Sequence, residues 1–188
     1  MSSTNTFLSL LLHPDSPAPK DPATGKPIKD GKARIEFLKQ TLEQTKEKIL
    51  LPTPALAEFL VVTGKAGPEY LAELGISANF EIVPFDQIAA IELAISLAGA
   101  KASGDKKSGS SSTWAKVKFD AQIVAIAKVR GADVIYSDDE DVEKLARKVN
   151  IKVIKVLDLP SPPTQQPNLF TASEQVNEES ERKDKEEG

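Results

Sequence analysis

Apolar positions at Ile35, Leu38, Leu42 and Ile49 recur at helical spacing and predict a helix over residues 32–48, which runs into a short buried strand at 49–51. An apolar run predicts an earlier helix at 5–12. Pro54 and Pro68 each suit the first turn of a helix, one running to residue 62 and a shorter one ending near Gly75. A strand at 80–83 precedes a long Ala-rich helix at 85–102. The next helix, 114–129, ends at Gly131 in C-cap position, and a strand at 134–136, a helix at 139–149 and a strand at 151–154 complete the pattern. Short strands separated by helices predict an α/β fold in three layers, a mostly parallel sheet between helices.

Three segments break this periodicity. Residues 14–31 hold five prolines with Gly25 and Gly31 and read as a surface loop. Residues 103–113, rich in Ser, Gly and Lys, read as a flexible connection between two helices. From Pro160 onward the chain is charged and poor in aromatics, so residues 160–188 are expected to be a disordered acidic tail, with one ordered domain over 1–159. The net charge of −4 sits entirely in residues 171–188, and the rest of the chain balances at 21 acids against 21 bases. A neutral body excludes recognition of nucleic acid by overall field and leaves only local patches.

With no cysteine, disulfides and thiolate metal sites are excluded, so a metal would be held by oxygen. The apolar run at 7–12 is too short for a membrane span or a signal peptide, which predicts a soluble cytoplasmic protein. No Gly-rich turn follows any predicted strand, which disfavours a nucleotide-binding α/β domain. The lone His13, beside Pro14, is assigned no role.

The carboxylates carry more. Glu58 is the only charged residue between Lys48 and Lys65, so it either occupies a narrow solvent stripe or needs a partner or a metal. Asp120 lies in the first turns of its helix, where the helix dipole already favours a carboxylate. Ser137 and Glu140 form the Ser-x-x-Glu of a capping box, which leaves Asp138, Asp139 and Asp141 crowded at the end of a strand. Charges that close favour a cation between them, and magnesium or manganese prefers such oxygen ligands. In open α/β sheets, strand-to-helix corners of this kind are where ligands bind. Lys116 and Lys118, next to the Ser/Gly/Lys loop, are weaker candidates for contacting substrate phosphates.

The pairing of Phe119-Asp120-x-x-Ile123-x-Ala125-x-Ala127 with a strand and Ser137-x-Asp139-x-Asp141 resembles the PIN domain, the fold of VapC-type toxins and RNA-processing nucleases. The resemblance covers roughly residues 3–159. It implies that Asp120 and Asp139 hold magnesium or manganese with Asp141 as a frequent further acid, that Glu58 is the family's helical glutamate, and that Asp138 falls at a variable position. It also implies hydrolysis of RNA by metal-activated water, and homodimers. At the other end the chain departs from the family. Ser3 stands where the first catalytic aspartate is expected, and the central strand before it has no residues here. Two expectations follow: a metal-dependent endoribonuclease with RNA as substrate, in a toxin–antitoxin pair with an antitoxin partner, or a catalytically impaired PIN scaffold that binds RNA or a protein.

Overall fold

Helices and short strands alternate as expected along the residues described by a computed structural model, 4–12, 16–104 and 110–163, with side chains from Phe7 onward. Ser3, His13, Asp15, residues 105–109 of the Ser/Gly/Lys loop and residues 164–188 of the tail lie outside the described residues. The elements are α1 (Thr4–Leu12), α2 (Gly31–Thr45), β1 (Ile49–Pro52), α3 (Thr53–Thr63), α4 (Gly67–Ile76), β2 (Phe80–Val83), α5 (Gln87–Ala102), α6 (Trp114–Val129), β3 (Val134–Tyr136), α7 (Glu140–Lys148) and β4 (Lys152–Ile154).

Local chemistry explains most boundaries. Pro54 and Pro68 sit in the first turns of α3 and α4, where a missing N–H is harmless. Asp86 caps α5 by accepting the Ala89 N–H at 2.9 Å, so that helix starts two residues later than its apolar pattern suggests. α2 stops at Thr45 because Lys46 takes a left-handed conformation, φ 58°. Gly131, at φ 67°, lets the Ala132 N–H turn back to the Ala127 carbonyl and closes α6. A 3-10 turn at Val156–Asp158 had no periodicity to announce it. The described part of the proline-rich segment is a loop, pinned where Ala23 N–H and Thr24 Oγ1 donate to the Asp21 carboxylate.

Pairing is parallel throughout: β1 with β2 in the register Ile49–Phe80 to Pro52–Val83, and β3 with β4 from Val134–Lys152 to Tyr136–Ile154. The fold is therefore α/β with short parallel sheets, although the described strands form two pairs rather than one continuous sheet. Between β1 and β3 lies a cavity of about 530 Å³, lined by both strands, by Phe7, Leu8 and Leu11 of α1, and by Ile123, Ile126 and Ala127 of α6.

The core is organised around α6, whose Ala121 and Ile123 to Ala127 are all buried. Ile123 packs with Leu51, Leu56 and Phe59; Val124 and Ala127 pack with Ile135, Val142 and Ala146; Ile126 packs with Val83 and Ala89. Such all-round burial locks the rotation of α6 about its axis and thereby the direction of Asp120 at its start. Among the described residues, no helix is long and apolar enough to cross a membrane.

Candidate metal centre

Lys116 and Asp120 stand one turn apart on α6, so their side chains share a face, and the ammonium donates to Asp120 Oδ2 at 2.7 Å. Thr113 sets the start of that helix by accepting the Lys116 N–H through its hydroxyl. The opposing wall comes from the corner after β3. There Ser137, fully buried, donates its N–H to the Ile154 carbonyl and accepts the Asp139 N–H on its hydroxyl at 3.1 Å. Asp139 then caps α7: its Oδ1 accepts the Asp141 N–H at 2.8 Å, which leaves Oδ2 facing Lys116 Nζ at 2.9 Å. The capping box expected of Ser137 and Glu140 is thus corrected. Asp139 is the N-cap, because the chain runs extended through it and becomes helical only at Glu140.

Asp141 follows in the first turn of α7, where negative charge meets the positive end of the dipole. Its Oδ2 accepts from Ser112 Oγ at 2.6 Å and from Lys116 Nζ at 3.3 Å, and Lys144 Nζ stands 3.7 Å from Oδ1. One carboxylate oxygen each from Asp120, Asp139 and Asp141 lies within 4.8 Å of the others.

Electrostatics distinguishes the three. Burial pushes the Asp120 carboxyl up to about 6: the Lys116 ammonium pulls the other way, and the charges of Asp139 and Asp141 add to the rise. Asp141 is also desolvated, but hydrogen bonds from Ser112, Ser110 and Lys116 outweigh this and hold it at about 2. Burial works to lower the Lys116 pKa, yet its bonds to Asp120 and Asp139 prevail and raise it above the usual lysine value. A hard, all-oxygen donor set of this kind suits a divalent cation such as magnesium or manganese.

The other expected residues go elsewhere. Asp138 is buried but turned away, accepting the Val156 N–H at 2.9 Å, and burial raises its pKa. Glu58 is half-buried on α3 and outside the acid group, with one carboxylate oxygen buried and without a hydrogen-bond partner among the described residues. Lys118 lies over the Trp114 ring, 6.0 Å from its centre. Lys116, the other weaker candidate for contacting substrate phosphates, is engaged by three acids, because the helical spacing that aims Asp120 inward aims Lys116 with it. Ser110 and Ser112 carry no signal of their own in a Ser/Gly/Lys stretch that reads as linker, and only the fold brings them to Asp141.

The family described as PIN domain matches residues 27–148, a span that includes Glu58, Asp120, Asp139 and Asp141. No curated protein and no solved structure matches the chain significantly.

Proposed function

The chain belongs to the PIN-domain family, and from that premise we propose that it is a divalent-metal-dependent endoribonuclease whose cation is held by Asp120, Asp139 and Asp141. The observation that carries this reading is the convergence of three carboxylates, two of them buried, from two helices. Such a cluster is costly unless cations offset it, and against its three carboxylates stand one charge from Lys116 and a second from Lys144 at the edge of Asp141. A bound cation would neutralise the scissile phosphate and activate the attacking water. Within the protein, Asp139 is aimed by its cap on α7, Asp141 by Ser112, and Asp120 by the buried face of α6. Glu58 stands outside that group, and its buried oxygen, without a partner among the described residues, has capacity for a water or a further ligand.

The family resemblance extends the proposal to a VapC-type toxin with an antitoxin partner and to a homodimer. Ile88, Ile91 and Ile95, exposed along one side of α5, are consistent with such pairing.

A specific feature favours a second reading. The cavity between β1 and β3 separates the two strand pairs and is lined largely by apolar side chains, so it offers space for a partner, in keeping with the alternative of a hydrolytically impaired scaffold that binds RNA or a protein. One experiment separates the two. RNA is incubated with manganese or with chelator, and binding and cleavage are scored together. The nuclease reading expects cleavage only with manganese, lowered at least about a hundredfold in Asp120→Asn and Asp139→Asn. Binding with no cleavage under either condition favours the scaffold, and full activity in both variants removes the acid cluster from the reaction.

A further inference from the structure

We propose that Lys116 is an intramolecular stand-in for the metal: its ammonium occupies the centre of the Asp120–Asp139–Asp141 cluster in the metal-free protein and must leave when a divalent cation binds. This rests on the metal reading above and adds a residue that sets the affinity.

Three observations carry it, joined by the size and charge of the ion. The ammonium has three protons to donate and no acceptor, and it reaches three carboxylates, at 2.7, 2.9 and 3.3 Å. Each contact uses an Oδ2 atom, while the Oδ1 of Asp139 is committed to capping α7. A magnesium-sized ion bound at about 2.1 Å from such oxygens would need the same central volume. An ammonium and a divalent ion placed there together would repel strongly in so desolvated a setting, so occupancy is exclusive. Finally, the side chains of Asp120, Asp139 and Asp141 are 2%, 12% and 11% exposed, whereas that of Lys116 is 37% exposed. The lysine covers the acids from the solvent side, so its flexible stem can swing outward without unpacking the core.

Three consequences follow. In the metal-free state Lys116 supplies the counter-charge that holds the start of α7 against α6, so the cluster stays assembled before metal arrives. The apparent metal affinity is reduced by the fraction of molecules in which Lys116 is bound; occupancy of nine in ten corresponds to a loss of roughly tenfold. Once displaced, the ammonium stands at the mouth of the site, where an anionic substrate would meet it.

The test uses the full chain and manganese alone. Titration calorimetry is run on wild type, Lys116→Met and Lys116→Arg, with melting temperatures taken in chelator and in manganese. Lys116→Met is expected to bind manganese roughly tenfold tighter, to melt lower in chelator, and to gain more on adding manganese. Lys116→Arg, which keeps the competing charge, is expected to stay near wild type. Equal or weaker binding by Lys116→Met overturns the inference. Absence of manganese binding in wild type and variants alike overturns the metal reading, and this inference with it. A second readout needs no variant: acylation of Lys116 in wild type, followed by peptide mass spectrometry, is expected to rise several-fold when manganese is added, and unchanged labelling in protein that binds manganese counts against displacement.

Discussion

Asp138 Oδ1 accepts the backbone N–H of Val156 at 2.9 Å, so the acid beside the metal candidates belongs to the fold and not to the cluster. Both partners are buried, and the bond ties the corner after β3 to the 3-10 turn that follows β4. Asp138→Ala leaves that N–H unpaired in the interior and is expected to cost about 1–3 kcal/mol, while Asp138→Asn, which keeps an acceptor, costs less. Urea unfolding of both variants, with manganese titration showing unchanged affinity in Asp138→Asn, checks the assignment.

Asp120 should make stability and metal binding depend on pH in opposite ways. Its folded pKa of about 6 lies above the unfolded value of 3.8. Protonation therefore favours the fold: the contribution is complete below 3.8 and is lost as pH rises through 6. In chelator, Asp120→Asn is expected to gain on wild type between pH 4 and 7, by at most about 3 kcal/mol. Manganese needs the ionised carboxylate, so wild-type affinity should fall as pH drops through 6. Thermal melts and calorimetry at several pH values measure both slopes.

Ser112 holds Asp141 and so acts on the cluster from a distance. Its hydroxyl bond is one of those keeping the Asp141 carboxyl at about 2, below the ordinary 3.8, so their stabilisation is present above 3.8 and disappears as pH falls through 2. Ser112→Ala is expected to cost about 1–2 kcal/mol at pH 7, a gap that narrows towards pH 2, and to weaken manganese binding. Retained stability and affinity at neutral pH would show that the loop contact is not formed in solution.

The cavity between the strand pairs invites filling. Ala127 on α6 is 7% exposed and lines it. Ala127→Leu adds apolar volume into that space and is expected to raise stability by about 1 kcal/mol. A loss of stability instead would mean that the side chain is held against β3 and cannot turn into the cavity.

Much of this molecule is legible in one dimension. The apolar spacing of α2, the prolines at the starts of α3 and α4, and Gly131 after α6 are local signals, because helices and turns are decided by contacts within a few residues. The acids at Asp120, Asp139 and Asp141 are equally visible, since a helix start and a strand-to-helix corner are local features too. Their convergence is another matter. Asp138 and Asp139 are adjacent in the chain, yet extended backbone sends one to Val156 and the other to Lys116, a separation that neighbours in sequence do not reveal. Ser112 reaches Asp141 across 29 residues, and Glu58 stays outside the cluster although its residue type matches. These placements are set by packing: α6 is buried on all sides over residues 123–127, which fixes the direction of its first turns and so which side chains meet there. Local periodicity sets what each segment is, whereas packing between segments sets what each charge faces.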